Sequence, residues 1–311
     1  MELELQEINE RAATAPAQFV ADEERRYHAE LERLAESLTQ SPETRVLLLA
    51  GPSSSGKTTT ANLLADRLTA RNHPCAVVSL DNFYRNRDEN YPKNPDGTFD
   101  YENVTALHVP LIANCLRQII ARKDCMLPRY DFKTARRTDD AQRLPAQENG
   151  LVIVEGLHAM NPIISESLPK SAILNVFVSV STNINENGTR ILSGRKVRFL
   201  RRVVRDALYR GASVTHTLSL WPNVLRGEDR YLYPYKSRAD VAFDTFHRYE
   251  VGVLSQYLRT FVHDEIDSAF LTYITNGSAK FHQIDPELVP ENSLIREFIP
   301  GGIYEQLYKG Q

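Results

Sequence analysis

The stretch Gly51-Pro52-Ser53-Ser54-Ser55-Gly56-Lys57-Thr58 fits G-x-x-x-x-G-K-[ST] at every defined position. Immediately before it, Val46-Leu47-Leu48-Leu49-Ala50 is a short continuous apolar run, the pattern of a strand buried on both faces. Immediately after it, Thr58 to Ala70 carries Leu63, Leu64 and Leu68 and reads as a helix. A Gly-rich turn between a strand and a helix makes a phosphate cradle. The glycines let the backbone aim its N–H groups inward, and the helix start adds partial positive charge. Lys57 can reach terminal phosphates and the Thr58 hydroxyl suits Mg²⁺. The expected phosphate contacts are Gly51, Ser53, Ser54, Ser55, Gly56, Lys57, Thr58 and Thr59.

Working outward, Ala76-Val77-Val78-Ser79-Leu80, Leu151-Val152-Ile153-Val154 and residues 173–180 are further buried-strand candidates separated by helical or loop material. This alternation predicts an α/β fold, a mostly parallel sheet covered by helices on both faces. In such sheets ligands sit beyond the carboxyl ends of the strands. Asp81 and Glu155 each follow a predicted strand, so both are candidates for metal or proton chemistry. Tyr27, Leu31, Leu34 and Leu38 form the stripe of an amphipathic helix over residues 21–40, free to pack on the core or on another subunit. The expected organisation is a helical extension over 1–43, a core over 44–262 and a C-terminal extension over 263–311 packed on that core.

With 42% hydrophobic residues among 311, the chain can bury a sizeable core, which excludes global disorder. The 37 basic and 40 acidic residues nearly cancel, so affinity for phosphate must be local. Met1 to Glu10 is acidic rather than leader-like, and no apolar run approaches the ~18 residues of a membrane span. The expected location is cytoplasmic, with no membrane partner. Cys75, Cys115 and Cys125 form no C-x-x-C pair and read as reduced structural thiols.

The local charge lies between Arg190 and Arg210, where Arg190, Arg195, Lys196, Arg198, Arg201, Arg202, Arg205 and Arg210 face one acid, Asp206. On a helix Arg198, Arg202 and Arg205 share one side and Val197, Leu200, Val204 and Leu208 another. A lid of arginines over about 190–212 would neutralise a transferring phosphoryl group. The competing readings are a solvated basic face and a nucleic-acid patch, the latter weakened by the lack of interleaved aromatics.

With the loop, Ser79-Leu80-Asp81-Asn82-Phe83-Tyr84, Tyr130-Asp131-Phe132 and the arginine helix in one order, the chain resembles the uridine kinase and phosphoribulokinase family of P-loop kinases over roughly residues 44–262. That resemblance implies a P-loop NTPase fold of the nucleoside monophosphate kinase type, α/β/α with a helical lid. It also implies transfer of the γ-phosphoryl of ATP, with Mg²⁺, to a hydroxyl of a ribose-like small molecule. Asp81 matches the family base near the metal, with Thr58 and Glu155 on the metal side. Tyr84, Asp100, Tyr130 and Asp131 match acceptor positions, and Lys57, Arg201, Arg202 and Arg205 match catalytic cations. Ala135 stands where typical uridine-cytidine kinases carry a base-contacting histidine. Trp221-Pro222 through Glu228, Tyr233-Pro234-Tyr235 and the ending Arg296 to Gly302 are most similar to bacterial nucleoside kinases that often carry an N-terminal TGS region. With only residues 1–43 ahead of the core, the resemblance implies a free-standing kinase module. The other readings are a kinase for a sugar phosphate, using Arg129, Lys133, Arg136 and Arg137, and a nucleotide-dependent RNA-binding module.

Overall fold

The computed structural model describes residues 1–87, 90–94, 97–146, 149–262 and 268–308. The chain begins with β1 (Glu2–Glu4), α1 (Leu5–Thr14) and α2 (Pro16–Thr39), then β2 (Val46–Ala50), α3 (Lys57–Ala70) and β3 (Cys75–Ser79). There follow α4 (Val109–Ile120), β4 (Cys125–Asp131), β5 (Arg136–Leu144), β6 (Leu151–Glu155), α5 (Pro162–Ser165), β7 (Ile173–Ser179), β8 (Asn183–Glu186) and β9 (Thr189–Leu192). The last elements are α6 (Gly194–Tyr209), α7 (Val214–Tyr231), β10 (Val241–Asp244), α8 (Glu250–Phe261) and α9 (Ala269–Ser278).

The central sheet has the order β10-β7-β2-β6-β3, and every pair in it is parallel. Period-two alternation splits β2 between two cores. Leu47 and Leu49 face Leu34, Leu38, Leu64 and Leu68, while Val46, Leu48 and Ala50 face Ile112, Leu116 and Ile119. Helices therefore cover both faces, as the sequence pattern predicts. Because β2 is flanked by β6 and β7, strand order reverses around it, and the loop after β2 opens at that switch point.

A third apolar cluster joins Phe19, Tyr27 and Leu31 of α2 to Leu200 and Val204 of α6, Leu254 of α8, Ile274 of α9 and Phe298 near the C-terminus. The predicted N-terminal helix is longer than 21–40, and its stripe is spent inside this chain. Within the expected helical extension over 1–43, residues 2–4 are not helical but form β1, which pairs in parallel with β8. Trp221 is buried against Phe199, their ring centroids 5.3 Å apart. All three cysteines are free thiols. Among the described residues no helix is long and apolar enough to cross a membrane.

Candidate functional site

Close packing sets the loop between β2 and α3. A Cβ on Gly51 would lie 2.3 Å from the Val178 carbonyl oxygen, and Gly56 takes φ +83°, a left-handed conformation that side chains disfavour. The outer carbonyls of the loop are held from behind. Arg198 donates to Ser53 O at 2.9 Å, Arg201 to Ser54 O at 3.3 Å, and the Thr245 hydroxyl to Ser55 O at 2.8 Å. With carbonyls fixed on that side, the loop turns its other edge to the cleft. There the first N–H groups of α3 lack intrahelical acceptors, as at any helix start.

A cleft of about 720 Å³ is lined by Ser53 to Thr58, Asp81, Glu155, Asp131, Arg202, Arg205 and Arg210. Asp81 arrives there because a 3-10 turn, Leu80–Phe83, buries Leu80 and Phe83 and leaves Asp81, Asn82 and Tyr84 on the open side. Asp81 meets the water of the cleft, yet surrounding protein desolvates its carboxyl and raises its pKa against the opposing charges of Lys57 and Arg210. Glu155 is buried at the end of β6. Desolvation raises its pKa too, Lys57 opposes this, and Asp81 adds repulsion.

These shifts carry a sign that can be measured. A carboxyl that holds its proton to higher pH in the folded protein than in the unfolded chain makes stability fall as pH rises through that window. Glu155→Gln removes the buried charge. The unliganded variant should match its parent near about pH 4 and become the more stable by about pH 8, read from urea melts. A variant that gains nothing at the higher pH would show that the carboxylate pair is not strained.

The arginine helix divides in two. Arg198 and Arg201 are fully buried, ion-paired with Glu228 at 2.7 Å and Glu250 at 2.6 Å. Arg201, expected to act in a lid, is therefore behind the loop and does not line the cleft. The remaining cluster does face it: Arg202, Arg205 and Arg210 converge on the single carboxylate of Asp206 at 3.3, 2.9 and 3.4 Å. Burial opposes ionisation of Asp206, but Arg205, Arg202 and Arg210 outweigh it and hold its carboxyl below the usual range. Arg205 and then burial bring Arg210 down to about 10. Three guanidiniums sharing one carboxylate leave positive charge for an anion. Arg190 pairs with Glu2 and Arg195 with Asp229, so the basic run is spread over five acidic partners rather than exposed as one stripe.

Next to the cleft is a cavity of about 1130 Å³ walled by Tyr84, Tyr91, Phe99, Tyr101, Tyr130 and Phe132, with Asp100, Arg87 and Tyr231. Tyr84, Glu102, Tyr130, Phe132 and Arg202 line both spaces. The Tyr130 ring lies 5.5 Å from Tyr84 and 5.0 Å from Phe132. Asp100 accepts from Asn103 at 3.4 Å and from the Tyr231 hydroxyl at 3.5 Å.

Several predicted positions turn out differently. Asp131 borders the cleft, but its Oδ1 accepts from the backbone N–H groups of Lys133 and Thr134 and so caps the β4–β5 turn. Thr59 does not itself line the cleft; its hydroxyl is engaged by Glu297 and Tyr308. Gly51 acts by its closeness to Val178 and does not line the cleft. Ala135 is buried in the turn at φ +54° and lines neither space. Of the basic residues suggested for an acceptor phosphate, Arg129 borders the cleft, Lys133 and Arg136 are exposed, and Arg137 donates to Tyr84 O and Asp139. Residues that the sequence pattern leaves unassigned are Glu102 and Glu297, while Arg210 stands in the basic run but not among the expected catalytic cations. Burial pushes the Glu102 carboxyl up to about 7, with Arg202 opposing. Its position two residues after Asp100, and that of Arg210 at the end of the basic run, were the available signals.

Residues 46–251 match the model of the phosphoribulokinase / uridine kinase family. The chain is 27% identical over 203 residues to a uridine kinase of Lactobacillus johnsonii, covering 65% of this chain and 87% of that one. It is 26% identical over 205 residues to a uridine kinase of Staphylococcus aureus, covering 64% and 86%. Among solved structures, a Silicibacter sp. TM1040 protein provisionally named a fructose transport system kinase superposes with a TM-score of 0.51. The two share 17% identity, over 68% of this chain and 98% of that one, a likeness of fold alone.

Proposed function

The chain belongs to the phosphoribulokinase / uridine kinase family, a family of kinases, and from that premise we propose that it transfers the γ-phosphoryl of ATP to the 5′-hydroxyl of a nucleoside. One observation carries the choice of acceptor: the phosphate cleft, through Tyr84 and Tyr130, adjoins a cavity walled by seven phenylalanine and tyrosine rings. Phe132 and Tyr101, both lining it, leave 45% and 41% of their surfaces uncovered, so a flat apolar ring has aromatic surface to lie against.

Kinases of this family use ATP with a metal ion, and the donor set fits both. The buried Ser54 and Ser55 hydroxyls have no hydrogen-bond partner among the described residues, as groups that await a phosphate oxygen. Thr58, Asp81 and Glu155 offer the hard oxygens that Mg²⁺ takes. No cluster of three His, Cys, Asp or Glu side chains able to hold a metal occurs among the described residues. That suits an ion drawing most of its ligands from phosphate and water. When bound, Mg²⁺ neutralises charge on the phosphate oxygens.

This chain's own groups do the rest. Lys57 and the N–H groups at the start of α3 hold the terminal phosphates in line with the acceptor. Asp81 orients the acceptor hydroxyl and takes its proton. Asp100 has lone pairs for a vicinal diol. Arg202, Arg205 and Arg210 balance the charge of the transferring group and exclude water that would hydrolyse ATP.

The test is ADP release against a panel of nucleosides and sugar phosphates, with an acceptor-free control and an RNA arm. Stimulation by a nucleoside is the expected result. Stimulation by sugar phosphates alone would replace the acceptor, and hydrolysis that responds only to RNA would replace the reading altogether.

A further inference from the structure

The family match stops at residue 251, yet the chain beyond it returns to the cleft. Two 3-10 turns, Leu294–Glu297 and Glu305–Leu307, lay the C-terminal segment across the start of α3. Leu294 packs so closely on the loop that a Cβ at Gly56 would lie 2.5 Å from its Cδ1. Thr59 Oγ1 donates to Glu297 Oε2 at 2.6 Å and lies 2.7 Å from the Tyr308 hydroxyl.

Three residues of this segment, Glu297, Gln306 and Leu307, line the phosphate cleft and not the aromatic cavity. Glu297 is a carboxylate only 5% exposed whose described partner is a hydroxyl rather than a cation. Leu307, which borders the cleft, leaves 40% of its surface exposed to water. A buried carboxylate held by one hydroxyl and an uncovered leucine at the same wall are both costly in the absence of a ligand.

The acceptor end of the cleft is the one it shares with the cavity, through Tyr84, Glu102 and Tyr130. A triphosphate whose last phosphate points there must run its remaining length the other way, toward the C-terminal segment. We propose that Glu297, Gln306 and Leu307 receive the nucleoside half of the donor, a ribonucleoside triphosphate. Glu297 accepts a hydrogen bond from a ribose hydroxyl, Gln306 supplies a second polar contact, and Leu307 covers the apolar surface. The direction of the triphosphate rests on the kinase reading above; the binding wall itself does not.

The experiment is calorimetric binding of ATP and of inorganic tripolyphosphate, each with Mg²⁺ and without acceptor, to the full chain. Tripolyphosphate has the phosphate chain of the donor and none of its nucleoside. Glu297→Gln and Leu307→Ala should each weaken ATP about tenfold and leave tripolyphosphate within about twofold. Glu297→Gln should also narrow the gap between ATP and its 2′,3′-dideoxy counterpart. Leu307 is exposed, so its variant folds in any case. Tyr308→Phe removes a hydroxyl beside Thr59 without opening the wall, and should keep the ratio of the two affinities. Equal weakening of both ligands in the first two variants would mean that the segment only braces α3, and overturns the proposal. So would unchanged ATP binding. A wild-type chain that binds ATP yet phosphorylates nothing would sink the kinase reading and leave this one standing.

Discussion

Asp81→Asn is expected to lower turnover at least ~10²-fold while ATP binding survives. The asparagine keeps the size of the side chain and loses its negative charge, and with it the ability to take a proton. The 3-10 turn that positions it is anchored by the buried Leu80 and Phe83, neither of which senses that change. Loss of turnover therefore reports on chemistry and not on collapse of the turn. The pKa shift sharpens the expectation. Desolvation holds the carboxyl protonated to higher pH than a free aspartate, and Lys57 and Arg210 counter this. A base that must be ionised makes the rate rise with pH through that raised pKa, and the variant's residual rate should lack this limb. ATP affinity is measured by titration alongside. Near-normal turnover would remove Asp81 from the base role, and loss of ATP binding would make it a ligand of the donor instead.

How much of this was legible in the sequence follows from how local each signal is. The loop, its flanking strand and helix, and Asp81 and Glu155 at strand ends lie within short windows, where hydrophobic period and turn chemistry decide the outcome. The fates of the arginines lie elsewhere. Period alone puts Arg198, Arg202 and Arg205 on one face, but whether a guanidinium meets a phosphate or a carboxylate depends on partners far along the chain. Glu228 is 30 residues from Arg198, and Glu250 is 49 from Arg201. The wall formed by Glu297 is further still, 238 residues from the Thr59 it touches. Likewise β1 pairs with a strand some 180 residues away, and no pattern in three residues announces that. The aromatic cavity draws its rings from segments far apart in sequence, so each tyrosine alone reads as ordinary packing. Family resemblance supplied Asp100 and Tyr130 where chemistry alone could not, and it also placed Arg201 among the catalytic cations, where the counterion Glu250 holds it away from the cleft.

That last point yields a second large effect. Arg201→Met leaves Glu250 buried without its cation. Breaking a buried pair in this way costs about 3–5 kcal/mol, on the order of 10 °C in Tm. Desolvation already raises the Glu250 pKa with Arg201 opposing, so in the variant that carboxyl should bind a proton well above its unfolded-state pKa. The folded variant then holds more protons than the unfolded chain, and its deficit in stability grows as pH rises and shrinks as pH falls. Adding Glu250→Leu removes the stranded charge and should recover most of the lost Tm, since apolar replacement of a buried pair is often neutral. Turnover of the double variant separates the two roles. A lid arginine that neutralises the transferring phosphoryl is worth ~10³ to 10⁵ in rate, and no gain in stability would restore it. A residue that only holds Ser54 O in place contributes one buried hydrogen bond to the loop, and its loss should cost about tenfold or less. Turnover within that tenfold at recovered Tm would fix Arg201 as a positioning residue. A thousandfold loss at the same Tm would return it to the catalytic set.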